Sequence, residues 1–333
     1  INGSRLHDLT GGIFYQPSGT ISDLQFVFNN VTFDSIDFGT GSDPEDVCFY
    51  LLLSNLQVEI SNIHISSCTG KTLGGIVDNT RSLFSCDSWT FTSNILTSNN
   101  PGQIKNMINM PLLADYRIPL EFNYCTFRSN TKAADFGTVC RIFSQDVSFY
   151  NCEFEENAAL YGGAISIYNV QSPILIINCT SRANQAQKGG SIHFQSPPSA
   201  KPDNYKAVVI ANCTFSGSLA NQGGALFLDS PIEVKLEGTN RFDSCRCNAF
   251  SSDDSNQGSI IFLLTKTTFF TIPSSTIIEN QTDGSQYLIY SFSQDFRCFN
   301  LKLNKNITQN CFYIYGENGK TEFDSISFEN VKT

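Results

Sequence analysis

Short apolar runs separated by Gly, Asn, Ser or Pro recur along the whole chain, and they predict β-strands rather than helices. Alternation within a run gives the direction of each side chain. Around Cys152 it places Cys152 and Phe154 on one side of the strand and Glu153 on the other. We expect the apolar side to face the interior of an all-β fold.

Four of these runs are centred on a cysteine, and their spacing is nearly regular. They read Asn123-Tyr-Cys125-Thr-Phe127, Tyr150-Asn-Cys152-Glu-Phe154, Ile177-Asn-Cys179-Thr-Ser181 and Ala211-Asn-Cys213-Thr-Phe215, so that the cysteines step by 27, 27 and 34 residues. A fixed period of this size is typical of a solenoid, whose units stack to bury their apolar faces. The spacing therefore predicts an interior ladder of these cysteines, one in each rung.

An asparagine follows three of the four cysteines by five residues, at Asn130, Asn157 and Asn184. Asparagine tolerates the left-handed backbone and its amide can bond neighbouring groups, so the spacing predicts a stacked asparagine ladder in a turn. The fourth unit has Ser218 at this place, with Asn221 as the candidate replacement.

A Gly-Gly pair follows each of the last three cysteines by ten residues and precedes an apolar run such as Ala164-Ile-Ser-Ile167. Glycine lacks a Cβ, so these pairs predict a sharp corner before the next strand. We interpret residues 1–333 as a single parallel β-helix, clearest at residues 120–265. One rung per repeat gives about 12 rungs.

The longest step contains an insertion of seven residues in the polar, proline-rich segment 196–203. Insertions in solenoids form loops, and loops often carry binding residues. The residues of this candidate binding loop are Pro197, Pro198, Lys201, Pro202 and Asp203. The alternative, which we favour, is a tolerated surface excursion.

The combination of Phe154-Glu-Glu-Asn157 with Gly162-Gly-Ala-Ile165 matches the paired Phe-x-x-Asn and Gly-Gly-Ala-Ile signature of chlamydial polymorphic outer membrane proteins. Phe127-Arg-Ser-Asn130 matches the first half only, and Gly189-Gly-Ser-Ile192 and Gly223-Gly-Ala-Leu226 match the second half with one change each. Residues 120–230 resemble this repeat family, which also occurs on the surface of some protists. The resemblance implies a right-handed parallel β-helix displayed on a cell surface, an adhesive role and no catalytic residues.

The charge and apolar content narrow the range of partners. The net charge is −10 and no basic cluster is present, so nucleic acid is not an expected partner. No apolar stretch approaches the about 20 residues that span a bilayer, so direct membrane insertion is not expected. The chain begins at Ile1 without a signal segment, and we interpret it as a mature or partial product of a larger precursor.

Twelve cysteines and six Asn-x-Ser/Thr acceptor sites favour a secretory route and an extracellular or cell-surface location. A chain rich in Asn, Ser and Thr also generates such triplets by chance. The acceptor asparagines are Asn2, Asn30, Asn178, Asn212, Asn280 and Asn306. We expect the interior cysteines to be mostly reduced, with a few disulfide bridges near loops.

The sequence gives little indication of a metal or cofactor site. Three histidines, His7, His64 and His193, are isolated, and they are predicted to be solvent-facing strand residues rather than ligands. The acidic residues that could bind calcium are Glu153, Glu155, Glu156, Asp253 and Asp254. Their spacing fits no calcium loop, so a solvated face is favoured and N-linked glycans are the only additions expected.

A carbohydrate-active β-helix enzyme such as a pectinase is the main enzymatic alternative. Its site needs clustered carboxylates on one outer face. Thr282-Asp283-Gly284 and Asp253-Asp254 resemble parts of a polygalacturonase motif, but their order differs and the basic residues are missing. We therefore expect no enzymatic activity.

The sequence thus predicts a non-enzymatic protein that acts in adhesion and binds a protein or glycan on a host or neighbouring cell. The alternative is a structural subunit of an extracellular coat or filament that binds further copies of itself. Open solenoid ends expose unpaired strand edges, which gives this alternative its physical reason.

Overall fold

The structure is a computed structural model. It describes residues 5–7, 14–15, 25–37, 49–53, 57–70, 74–78, 84–96, 108–109, 120–132, 140–143, 147–168, 174–195, 208–229, 233–247, 260–263, 269–272, 276–279, 287–291, 295–304, 307, 310–315 and 320–329. In this part of the chain every regular element is a β-strand, which confirms the all-β prediction.

The strands are short and follow one another along the chain. The first are β1 (Arg5–His7), β2 (Phe14–Tyr15), β3 (Gln25–Asp34), β4 (Phe49–Leu53), β5 (Gln57–Ser66), β6 (Thr69–Gly70), β7 (Gly74–Asp78), β8 (Phe84–Asp87), β9 (Thr90–Thr92), β10 (Ile95–Leu96), β11 (Ile108–Asn109), β12 (Leu120–Asn123), β13 (Thr126–Arg128) and β14 (Thr131–Lys132). Next come β15 (Cys140–Phe143), β16 (Val147–Tyr150), β17 (Glu153–Glu155), β18 (Ile165–Tyr168), β19 (Ile174–Ile177), β20 (Thr180–Arg182), β21 (Ile192–Gln195), β22 (Val208–Ala211), β23 (Thr214–Ser216), β24 (Leu219–Ala220), β25 (Leu226–Asp229), β26 (Val234–Glu237), β27 (Asn240–Asp243) and β28 (Arg246–Cys247). The last are β29 (Ile261–Leu263), β30 (Phe269–Ile272), β31 (Thr276–Glu279), β32 (Tyr287–Ser291), β33 (Asp295–Phe299), β34 (Leu301–Asn304), β35 (Asn310–Ile314), β36 (Thr321–Asp324) and β37 (Ser327–Glu329).

These strands pair in parallel with the equivalent strands of the neighbouring repeats. The largest sheet has two branches: one stacks β12, β16, β19, β22 and β26, and the other stacks β13, β17, β20, β23 and β27. A second long sheet stacks β15, β18, β21, β25 and β29. This pattern is the repeated parallel stacking that a β-solenoid requires.

Residues 147–168 show how one repeat is built. β16 and β17 meet at a first bend, where Asn151 has a φ of 55°, and a second bend follows at Glu156 with a φ of 54°. The run around Cys152 is therefore two short strands joined by a left-handed residue. The equivalent first bends in neighbouring repeats lie at Tyr124, Asn178 and Asn212.

The Gly-Gly pairs form the predicted corner before the second sheet. Gly162, Gly189 and Gly223 have positive φ values of 62°, 62° and 61°. A Cβ on Gly162 would lie 2.1 Å from the carbonyl oxygen of Ile165 and 3.1 Å from the Cβ of His193. Both the backbone conformation and the close approach of the chain therefore require glycine there.

The interior is packed in columns, and in some stretches neighbouring repeats place identical side chains on top of one another. Phe122 stacks on Phe149 with ring centroids 4.9 Å apart, and Phe127 stacks on Phe154 at 5.4 Å. The two columns touch edge to face between Phe149 and Phe154. Such contacts add to the stabilisation from apolar burial, and they fix the register of the stack.

Candidate functional site

The four cysteines of the repeat form one buried column inside the first bend. The Sγ of Cys152 lies 3.3 Å from the carbonyl oxygens of Phe122 and Tyr150. Contact with the thiols of Cys125 and Cys179, together with burial, raises the pKa of Cys152, so the thiol is protonated at neutral pH. The structure thus places Cys125, Cys152, Cys179 and Cys213 together in one buried column of packed side chains.

The cysteine column ends where another side chain takes over its hydrogen bonds. The backbone N–H of Cys179 donates to the Sγ of Cys213 at 3.4 Å, whereas the N–H of Cys213 donates to the Oδ1 of Asn240 at 3.0 Å. Asn240 in turn donates from Nδ2 to the carbonyl oxygen of Ile210. The side-chain amide of Asn240 therefore accepts the backbone hydrogen bond that a thiol accepts in the preceding repeat.

No disulfide joins the ten cysteines that the structure describes, so the expected bridges near loops are wrong for these residues. Stacked side chains of parallel strands point in the same direction, which is a poor geometry for a bridge. Cys68 and Cys245 are buried in the column of the second bend instead: the N–H of Cys68 donates to the Oδ1 of Asn94. Cys48 and the side chain of Cys140 lie outside the described residues.

The asparagine ladder is continuous and fully buried. Nδ2 of Asn130 donates to Oδ1 of Asn157 at 2.9 Å, and Nδ2 of Asn157 donates to Oδ1 of Asn184 at 3.0 Å. Nδ2 of Asn157 also donates to the carbonyl oxygen of Phe127, and its Oδ1 accepts the N–H of Asn130. The ladder satisfies backbone groups that the second bend removes from the sheet.

The ladder also includes Asn94, which the sequence reasoning missed. Nδ2 of Asn94 donates to Oδ1 of Asn130 at 3.0 Å. The segment Phe91-Thr-Ser-Asn94 has the same Phe-x-x-Asn pattern as the later repeats. It was overlooked because Trp89 stands where those repeats have a cysteine, although the pattern itself could have identified it.

The next position of the ladder is Ser218, and the proposed replacement by Asn221 is wrong. Ser218 is buried, whereas Asn221 is partly exposed beside another part of the repeat. Buried hydroxyls replace the missing amide: Ser181 donates to Ser191 at 2.8 Å, and Ser191 lies 2.8 Å from the hydroxyl of Ser218. This series of hydroxyl groups fits in the interior because Ser181 occupies the position at which the two neighbouring repeats have phenylalanine.

The outer face of β17 carries an ion-pair cluster. Glu155 contacts Arg128 of the preceding repeat and Arg182 of the following one. The carboxylate side chain is 11% exposed, while the arginines are 51% and 58% exposed. Glu155 is therefore engaged in joining three repeats, whereas Glu153 and Glu156 are exposed.

A third column of aromatic rings lies on the outer face of the second long sheet. His193 stacks on Phe227 at 5.2 Å, and the column continues through Phe262, Tyr290 and Tyr313 at 5.2, 5.1 and 4.5 Å. His193 is only 2% exposed, so its prediction as a solvent-facing residue is wrong. Strand alternation gave its direction correctly, but the Gly-Gly corner and Tyr161 pack over it.

Polar groups surround the first rings of this column. Nζ of Lys188 lies 4.9 Å from the ring centroid of Phe227, within cation–π range. Nδ1 of His193 lies 3.3 Å from the hydroxyl of Ser166. Burial raises the pKa of Asp229, and the nearby Lys188 opposes this effect. This cluster combines aromatic and charged groups, but much of it is covered by the protein.

Three of the six acceptor asparagines fall within the described residues. Asn30, Asn178 and Asn212 are exposed and occupy the left-handed first bend, with φ values of 53°, 55° and 55°. Asn2, Asn280 and Asn306 lie outside the described residues. The proposed binding loop, Pro197, Pro198, Lys201, Pro202 and Asp203, and the acidic pair Asp253-Asp254 also lie outside them. The other two histidines are placed differently: His64 is half-buried in β5, and His7 lies in β1 with a side chain outside the description.

Among the described residues, no helix is long and apolar enough to cross a membrane. The same residues contain no group of three His, Cys, Asp or Glu side chains arranged to hold a metal ion.

Comparison of the chain with known protein families, with curated proteins and with solved structures finds no match in any of the three.

Proposed function

We propose that this chain is a right-handed parallel β-helix of about 12 rungs in an extracellular or cell-surface protein, and that it acts without catalysis in adhesion. The paired Phe-x-x-Asn and Gly-Gly-Ala-Ile motifs, which resemble those of polymorphic outer membrane proteins, support the handedness and the location. The order of strand pairing, in which each repeat adds one parallel strand to each branch of the largest sheet and one to the second long sheet, supports the rung count.

The observation that carries this proposal is the contrast between the inner and outer columns. Inner positions repeat the same residue over neighbouring repeats, as in Phe127 and Phe154 or Asn157 and Asn184, and the inner replacements such as Ser181 and Ser218 are buried as well. The outer column that contains Glu155 instead varies from repeat to repeat. Its residues are Thr92, Arg128, Glu155, Arg182, Ser216 and Asp243. Packing fixes the inner residues, and the variable outer face supplies the extended surface with which solenoids bind partners.

Attachment of cells to the immobilised protein tests this proposal. Wells coated with the purified chain are expected to retain host or neighbouring cells above wells coated with albumin, and soluble chain should compete. Cells treated with protease or with glycosidase distinguish a protein receptor from a glycan receptor. Attachment equal to albumin, together with release of reducing ends from polygalacturonate, would instead indicate the enzymatic alternative.

One observation favours the coat or filament alternative. In the last described repeat, Phe323 and Phe328 are 45% and 60% exposed. They occupy the columns in which Cys298 and Leu303 are fully buried. An end-to-end filament would cover such an apolar strand edge with the next copy. Sedimentation velocity across micromolar concentrations should show end-to-end species if copies provide the cover, and a constant monomer if they do not.

A further inference from the structure

The first bend of the coil brings acceptor asparagines to one edge of the stack. Asn178 and Asn212 lie on successive repeats, since the N–H of Asn178 donates to the carbonyl oxygen of Ala211 at 2.9 Å. Asn30 occupies the same bend several repeats earlier. Three separate triplets therefore share one structural position. Triplets that arose by chance would be expected at unrelated positions of the repeat.

The bend separates the three residues of each triplet in the way that modification needs. In Asn178-Cys-Thr180 the asparagine and the threonine are exposed, while Cys179 is 4% exposed and turned inward. In the triplet at Asn212 the asparagine is exposed, Cys213 is 1% exposed and Thr214 is partly exposed. The carboxamide and the hydroxyl residue thus lie on the accessible side, and only the middle residue is used for packing.

The hydrogen bonds of these carboxamides are compatible with a substituent on Nδ2. Oδ1 of Asn212 accepts the N–H of Thr239 at 2.9 Å, and this bond does not involve Nδ2. Nδ2 of Asn178 donates to Oδ1 of Asn151 at 3.4 Å, and a substituted amide retains one N–H for such a bond. Attachment of a sugar therefore leaves the backbone support of the bend intact.

We propose that Asn178 and Asn212, together with Asn30, carry N-linked glycans that form a strip along the first bend. In the transfer, Nδ2 loses a proton and bonds to the anomeric carbon of an oligosaccharide supplied as its lipid diphosphate. The bond from that carbon to the diphosphate oxygen breaks, and the lipid diphosphate leaves. This inference rests on the proposed extracellular route. Glycans along this edge would leave the other faces of the stack for a protein partner.

Asn151 provides a matched comparison within the same column. It lies between Tyr124 and Asn178 in the stack and has the same φ of 55°, but its triplet is Asn-Cys-Glu. Glu153 is exposed and stands in register with Thr126 and Thr180. Glu153→Thr therefore creates an acceptor triplet with little cost to packing.

The experiment measures both location and modification on the full natural protein from its source cells. Surface biotinylation gives the location, and glycosidase release in ¹⁸O water marks each formerly glycosylated asparagine for peptide mass spectrometry. Label is expected on Asn30, Asn178 and Asn212 and not on Asn151. Thr180→Ala should remove it from Asn178 alone, Thr214→Ala from Asn212 alone, and Glu153→Thr should add it to Asn151.

Different outcomes separate this inference from the proposed function. Surface-exposed protein with unlabelled Asn178 and Asn212 overturns the glycan strip and leaves the cell-surface proposal standing. Protein that reaches neither the cell surface nor the medium and carries no label overturns both. Label on the two asparagines of surface protein, lost as expected in the threonine variants, supports the strip.

Discussion

At the scale of single residues, Asn157 links three consecutive repeats through side-chain hydrogen bonds in a fully buried position. Asn157→Ala removes the acceptor of Asn130 and the donor to the Phe127 carbonyl oxygen. An unsatisfied buried polar group costs about 1–3 kcal/mol, so a loss of about 3 kcal/mol in the free energy of unfolding is expected. Denaturant titration followed by circular dichroism measures it.

Asn221→Ala is the control for this prediction, because Asn221 is partly exposed and outside the ladder. It should change the free energy of unfolding by less than about 0.5 kcal/mol, as surface substitutions usually do. Equal effects of the two substitutions would show that the ladder has no special contribution to stability.

Two glycines with the same backbone conformation separate steric demand from conformational demand. Gly189 and Gly217 have φ values of 62° and 61°. A Cβ on Gly189 would lie 2.1 Å from the carbonyl oxygen of Ile192, whereas a Cβ on Gly217 would lie 3.9 Å from the backbone nitrogen of Ala183. Gly217→Ala should cost about 1–2 kcal/mol for the left-handed backbone. Gly189→Ala should cost clearly more and lower the thermal midpoint further; similar midpoints would mean that the corner can move aside.

Asp229 gives a pH dependence of stability. Burial raises its pKa above the ordinary value of 3.8, with Lys188 opposing. The stabilisation associated with this group is complete below that ordinary value and is lost as pH rises through the pKa of the folded state. Asp229→Asn should therefore be more stable than the native chain at pH 7, with a difference that shrinks towards pH 3. Denaturant midpoints of both proteins between pH 3 and pH 7 test the sign of this stability difference. Glu237→Gln, at an exposed position, is the control.

At the scale of strands, the sequence spacing was sufficient to predict which side chains stack. The regular step placed Cys152 over Cys125 and Asn157 over Asn130, because an unchanged period keeps equivalent residues in register. It could not predict that left-handed residues divide the runs, since Asn151 and Glu156 adopt this conformation without being glycine. Nor could it predict the burial of His193, which depends on a corner from the preceding repeat.

The outer ion pairs also act between strands. Glu155→Gln removes the charge that holds Arg128 and Arg182 of the flanking repeats. Because both arginines are about half exposed, the expected loss is only about 1 kcal/mol and should diminish in high salt. The exposed neighbour Glu156→Gln is the control. A loss from Glu155→Gln that is unchanged by salt would indicate a packing effect rather than an ionic one.

At the scale of the whole molecule, the parallel pairing makes each repeat depend mainly on the repeats before and after it. Stability in such a stack is approximately a sum of repeat and neighbour terms, so damage should remain local. Phe149 is fully buried and stacks on Phe122, whereas Phe323 is 45% exposed in the last described repeat. The two phenylalanines therefore provide an interior site and an edge site for the same substitution.

Phe149→Ala should cost about 3–5 kcal/mol by opening a cavity between repeats. Hydrogen exchange measured by mass spectrometry should accelerate in β12, β16 and β19, with little change in β33 and β34. Phe323→Ala should affect the last strands alone and by a smaller factor, because less apolar surface is lost there. Equal acceleration along the entire chain after Phe149→Ala would contradict the nearest-neighbour account, since it would mean that all repeats open as a single cooperative unit.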